Sequence, residues 1–184
     1  MSGKVNVVVG LVGVALGISA CLLVDREITK ASLSRKSYEV YIDPSFSKYQ
    51  REEIVSALGE WRAATDKTDH PLFFNTKVQW KMCSFTSCPD GTITVHQAPK
   101  EYLAMLHGGS SAAGIVGLMD RGNVYIAYEL LLPSDRKRVL MHEIGHALGL
   151  EHDMHHNSIM CPGLDCIVSH ITDADIEQYN ELRE

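Results

Sequence analysis

The chain has 184 residues, 45% hydrophobic and 22% charged, the balance of an ordinary globular protein with length for one real core. Its formal charge of −6 argues against a nucleic-acid partner, because binding phosphates calls for a basic face. Lysine and arginine form no long run, so no polybasic patch for a membrane surface is expected.

The first segment departs from that composition. Val5 to Val24, VNVVVGLVGVALGISACLLV, carries no charge and is flanked by Lys4 and by Asp25-Arg26. Its length is about what a helix needs to cross a bilayer, ~20 residues, and it also fits the apolar region of a signal peptide. A buried core helix is the alternative, and no polar face supports it. Ile18-Ser19-Ala20-Cys21 resembles a bacterial lipobox, which makes Cys21 a candidate lipidation site. Gly13 and Gly17 form a GxxxG pair that could help two such helices pack. Residues 1–24 are therefore expected to be a membrane anchor or a (lipoprotein) signal segment, and 25–37 a polar linker. Residues 38–184 form the folded domain, outside the cytoplasm and either anchored or secreted after cleavage.

Along the domain, SYEVYID alternates Tyr38, Val40 and Ile42 against Glu39 and Tyr41, the pattern of a strand. A helix is expected over 48–64, opened by a capping box of Ser47 and Gln50, with Ile54, Leu58 and Trp61 on one face. Strands follow at TKVQWKM, with Val78, Trp80 and Met82 on one face, and at GTITVHQ, with Asp90-Gly91 turning between them. The glycines and serines of 98–113 read as a flexible surface loop. GIVGLMD and NVYIAYEL are two more strands around the turn DRGN, and a periodic helix spans 134–149 with Ser134 as cap and Asp135 in its first turn. Thr172 and Asp175 open a last helix, with Ile171 and Ile176 as a hydrophobic staple. The order of elements is that of an α+β or mixed α/β domain.

Beyond Cys21, four cysteines form two pairs of equal spacing, Cys83/Cys88 in CSFTSC and Cys161/Cys166 in CPGLDC. In an oxidising compartment these read as two disulfides. Three connectivities are possible, and local pairing, Cys83–Cys88 and Cys161–Cys166, is the expectation. A four-cysteine zinc site or free thiols are the alternatives.

The chemistry concentrates in HEIGHALGLEH, His142 to His152. Residues i and i+4 of a helix share a face, so His142 and His146 can present two imidazoles to one ion. Glu143 stands beside them, within reach of a metal-bound water. Gly149 can take the left-handed conformation that ends a helix sharply, letting the chain turn back and bring His152 in as a third ligand. Three nitrogen ligands leave one tetrahedral position open, the arrangement of a catalytic zinc. In that arrangement Glu143 is the candidate general base. Leu140, Ile144, Ala147 and Leu148 supply the helix's apolar surface.

The full pattern, HExxHxxGxxH followed by Met160 in NSIMCP, resembles the metzincin zinc peptidases and, within them, the matrixins. Pro162, two residues past the methionine, strengthens the likeness, which covers roughly 36–184 and is specific over 142–162. The resemblance implies a twisted, mostly parallel sheet with an antiparallel edge strand, an active-site helix, a methionine turn and a C-terminal helix. It implies that His142, His146 and His152 hold one catalytic zinc, that Glu143 is the base and that Met160 is the packed floor of the site. By the same likeness a peptide or protein substrate pairs with the edge strand Gly114–Asp120, whose two glycines either let the peptide approach closely or simply mark a bulge, and a Cys161–Cys166 bridge braces the wall of the specificity pocket.

The chain departs from the matrixin pattern at Asp153, where serine or threonine is usual and adamalysins have aspartate. A buried polar contact is expected of it. No inhibitory prodomain fits between Asp25 and Ser37. The family's calcium sites and second zinc site have no clear counterpart, since His70, His96, His107, His155, His156 and His170 lack a comparable spacing. The expected molecule is a monomeric, membrane-tethered zinc endopeptidase acting outside the cytoplasm. The alternatives are an inactive binding module on the same scaffold and a zinc hydrolase of a non-protein amide.

Overall fold

Alternating burial decides the first strand. In β1 (Lys36–Ile42), Tyr38, Val40 and Ile42 are buried while Glu39 and Tyr41 are partly open. Lys36 and Ser37 already pair with Leu72 and Phe73, so the domain starts two residues inside the expected linker. The computed structural model describes residues 36–81, 83, 88–106, 116–155, 157–162 and 166–184. The apolar segment 5–24 with Gly13, Gly17 and Cys21 lies outside the described residues, as do Met82, His107, Gly114 and His156. Among the described residues no helix is long and apolar enough to cross a membrane.

Helix α1 (Lys48–Thr65) opens with both halves of its capping box. Ser47 N–H donates to Gln50 Oε1 at 2.7 Å, and Gln50 N–H donates to Ser47 Oγ at 3.3 Å. Ile54, Ala57, Leu58 and Trp61 form its buried face. The next strand lies earlier than expected. β2 is Leu72–Val78, buried only at its Leu72 end, whereas Val78 and Trp80 are 55% and 59% exposed. Val78 and Trp80 therefore do not mark a core face. β2 lies at the sheet margin, where the outward half of a strand needs no apolar residues.

β3 (Thr92–Gln97) follows, then a helix where a loop was expected. α2 (Lys100–Leu106) forms because Leu103, with Tyr102 and Leu106 beside it, covers Ala98, Tyr125 and Ala127 on the sheet's second face. β4 (Gly117–Asp120) and β5 (Asn123–Ile126) make an antiparallel hairpin around Arg121 and Gly122, both at positive φ. The five strands run β2-β1-β3-β5-β4, every pairing parallel except β4 with β5. This is the mixed α/β sheet with one antiparallel edge that the sequence implied.

Helix α3 (Pro133–Leu148) starts one residue before the expected position. Its N-cap is Leu132, without a side-chain cap, and Ser134 lies inside the first turn. Pro133 takes the first helical position, where its missing N–H costs nothing and its fixed φ suits the helix. α4 (Asp173–Glu181) closes the domain with Thr172 and Asp175 as a complete capping box, and Ile171 and Ile176 both pack on the core. That core gathers Val40, Ile42, Ile93, Val95, Val124 and Ile126 of the sheet against α1 and α3.

Candidate metal centre

Helix α3 carries the site on one face and its anchorage on the other. Leu140, Ile144 and Leu148 are at most 3% exposed, and Ala147 packs partly against the same core. The helix ends at Gly149, whose φ of +104° a side chain would rarely tolerate. Gly149 N–H donates to His146 O and Leu150 N–H to Gly145 O, each at 3.0 Å, so the last carbonyls are satisfied as the chain reverses. That reversal returns His152 to the helix. The candidate ligand atoms of His142, His146 and His152 all lie within 4.8 Å of one another.

The remaining ring nitrogens set the direction of the first two imidazoles. His142 Nδ1 lies 2.9 Å from Ile159 O and His146 Nδ1 lies 2.8 Å from Leu150 O. A carbonyl only accepts, so each Nδ1 carries the proton and each Nε2 keeps its lone pair. These two Nε2 atoms face each other at 3.2 Å. Two nitrogens bound to one tetrahedral zinc at the usual bond length stand about 3.3 Å apart. The donor set, spacing and tautomers all fit zinc. Burial pushes His142 down to about 4, against the opposing hydrogen bond to Ile159 O, and lowers His146 in the same way. Both rings are therefore neutral at pH 7, the form that binds metal.

Glu143, between the two histidines in sequence, is 6% exposed, and burial alone raises its carboxyl to about 8. Met160 is fully buried beneath the helix. It packs where Gly145 has no side chain: a Cβ there would collide with Met160 Sδ and stand 3.0 Å from Trp61 Cζ2. Trp61 belongs to the core, as expected, and its indole N–H donates to Met141 O at 2.9 Å, fixing α1 to the active helix. Asp153 N–H donates to Met160 O at 3.1 Å, tying the His152 segment to the methionine turn. The Asp153 side chain departs from expectation. It is half-buried and accepts locally from His155 N–H at 2.9 Å, closing a turn in place of a deep contact.

One residue of the site was not recognised in the sequence. Asp175 reads there as the partner in a capping box, and it does accept from Thr172 N–H and Oγ1, both at 2.7 Å. Its buried carboxylate also accepts from Ser158 Oγ at 2.6 Å, Ile159 N–H at 3.2 Å and Met160 N–H at 3.4 Å. It thus holds the methionine turn, and Ile159 in turn holds His142. Only the short polar residues of NSIM, with their need for an acceptor, hinted at such a partner.

The cysteines pair locally, Cys83 with Cys88 and Cys161 with Cys166, at Cα separations of 4.7 and 6.0 Å. The second pair begins immediately after Met160. The first sits against the β4–β5 turn, where Cys88 N–H donates to Arg121 O at 2.9 Å. The other described histidines stand apart from the triad. His155 and His170 are exposed and His70 is half-buried. His96 is 5% exposed on the sheet's second face, with Nε2 3.0 Å from Thr94 Oγ1 and Nδ1 3.6 Å from Asp43 Oδ2. Among the described residues, His142, His146 and His152 are the group of three whose ligand atoms converge.

The family model for matrixin matches residues 35–183. Among solved structures, an archaemetzincin from Methanopyrus kandleri is similar at 16% identity, over 82% of this chain and 97% of that one, with a TM-score of 0.49. Metalloproteinase-II from Bacteroides fragilis is similar at 11% identity, over 79% of this chain and 52% of that one, with a TM-score of 0.46. No curated protein sequence matches. The family match takes in every described strand and helix, and by it the chain belongs to the matrixins, a family of zinc metallopeptidases.

Proposed function

We propose that the chain is a zinc-dependent endopeptidase in which His142, His146 and His152 hold one zinc and Glu143 is the general base. The observation that carries this reading is the convergence of three imidazole nitrogens beside a buried carboxyl. A zinc ion bound there would acidify its water and polarise the scissile carbonyl. The protein's own part is orientation and proton movement. Ile159 O and Leu150 O hold two rings so that Nε2 of each faces inward. Glu143 takes a proton from the attacking water at a carboxylate oxygen and delivers it to the departing amide nitrogen. Burial that raises its pKa towards neutrality suits a group that must both accept and donate. Met160 and Trp61 keep the helix from shifting beneath these groups.

The substrate in this reading is a peptide or protein, laid along the outer edge of β4, and the enzyme is a monomer. We further propose that residues 1–24 tether or export the domain, through a single helix or through lipidation at Cys21, so that it works outside the cytoplasm. Two disulfides support that compartment, since such bonds persist where conditions are oxidising. Labelling with a palmitate analogue before and after Cys21→Ser separates lipidation from a transmembrane helix.

The central test measures zinc content and cleavage of a mixed peptide library, with wild type beside Glu143→Ala. The variant is expected to keep about one zinc per chain and to lose at least ~10²-fold in rate. Equal turnover by the two proteins would overturn the mechanism.

A further inference from the structure

Glu143 owes its place to a residue on another element. β4 is an edge strand of the sheet, and its first residue, Gly117, lies directly against the Glu143 side chain. A Cβ built on Gly117 would come within 2.6 Å of Oε1, 2.8 Å of Cγ and 3.0 Å of Cδ. Side-chain atoms do not approach that closely, so the carboxyl occupies space that any other residue at 117 would claim. Nothing in the backbone demands glycine there. Among the described residues the positive-φ glycines are Gly91, Gly122 and Gly149, and Gly117 sits in ordinary paired strand opposite Ile126. Its missing side chain is therefore needed for space and not for conformation.

We infer that Gly117 is a positioning residue for Glu143: the edge strand beside this carboxyl is recessed at one point, and the recess fixes where the proton-transferring group sits. The inference rests on the peptidase reading for its functional meaning, whereas the steric relation stands independently of it. Alanine at 117 would drive the carboxyl outward. A misplacement of about 1 Å at a reacting group is enough to cost on the order of 10²-fold. The three ligand histidines are not among the atoms that the added methyl group would meet most closely.

The experiment compares wild type, Gly117→Ala, Glu143→Ala and the double variant. In the metal-free proteins, thermal midpoints are expected to couple. Gly117→Ala lowers the midpoint when Glu143 is present and has little effect once Glu143→Ala has removed the colliding atoms. A midpoint loss for Gly117→Ala that is the same in both backgrounds overturns the inference. In the zinc-loaded proteins, Gly117→Ala is expected to lower kcat at least about tenfold, with KM and zinc content within about twofold of wild type. It should not reduce the residual rate of Glu143→Ala further. Unchanged kcat, or a loss carried by KM alone, also overturns it. If Gly117→Ala does not fold, recovery of folding in the double variant supports the steric relation, and failure of both refutes it. Should wild type and Glu143→Ala cleave equally, the peptidase mechanism fails while the midpoint comparison still decides the placement of Glu143.

Discussion

Replacing Asp175 by alanine probes how the far helix governs the site. The carboxylate is 2% exposed and accepts from five donors on Ser158, Ile159, Met160 and Thr172. These losses are unequal. Met160 N–H keeps Ser158 Oγ at 2.9 Å, and Thr172 can turn to water because it is only partly buried. Ile159 N–H is left unsatisfied in a buried place, which costs about 1–3 kcal/mol. The lost helix cap and the orphaned Ser158 hydroxyl each add about 1 kcal/mol. The sum is about 3–5 kcal/mol, a large part of the ~5–15 kcal/mol that stabilises a typical domain. Urea unfolding of the metal-free protein should show it as a lower midpoint at constant slope. Because Ile159 O also aligns His142, zinc affinity should fall by about 10–100-fold, the usual consequence of losing support behind a ligand. Asp175→Asn, which keeps the shape and one acceptor, should fall between the two. A cost below about 1 kcal/mol, or full stability loss with unaltered zinc affinity, would refute the chain of contacts from Asp175 through Ile159 to His142.

Two further outcomes are expected. Burial lowers the pKa of His96 despite the nearby Asp43 carboxylate, so as pH falls below about 6.5 the unfolded chain takes up this proton before the folded one. Stability contributed by the neutral ring is therefore lost with acidification, and His96→Gln should flatten that part of the midpoint-versus-pH curve of the metal-free protein. Parallel curves would exclude His96 as a source of the slope. At Gly149, an added Cβ meets only Leu182 Cδ1 at 3.5 Å, an ordinary contact, so Gly149→Ala should cost about 1–2 kcal/mol through its left-handed backbone alone. Weaker zinc retention should accompany that cost, because this turn delivers His152, and retention equal to wild type in a dialysis competition would count against the role of the turn.

What could be read from the sequence was local, and what could not was assembled across the fold. His142 and His146 are spaced by the helix itself, and Gly149 announces its end, so the triad follows from eleven consecutive residues. The same holds for the Ser47–Gln50 and Thr172–Asp175 caps. β2 was misplaced because its exposed half obeys no core: Trp80 reads as buried by type and lies in solvent. Helix α2 was hidden by glycine and serine further on in the same stretch, and its reason to exist is Tyr125, twenty-two residues after Leu103. Neither the reach of Asp175 to the methionine turn nor the fit of Glu143 against Gly117 leaves any periodic trace. Both depend on elements that meet only when the sheet and the last helix are in place.

The contact between Asp175 and the methionine turn also sets an order of events. α3 and its histidines leave the ribosome before α4, the helix that fixes Ile159, so the nitrogens are available for a time without the carbonyl that aligns His142. During that interval the motif would be a loose chelator, and docking of α4 would convert it into a directed one. By linkage, whatever docking contributes to metal affinity the metal returns to docking, so zinc capture would seal the last helix onto the domain as much as it would arm the site.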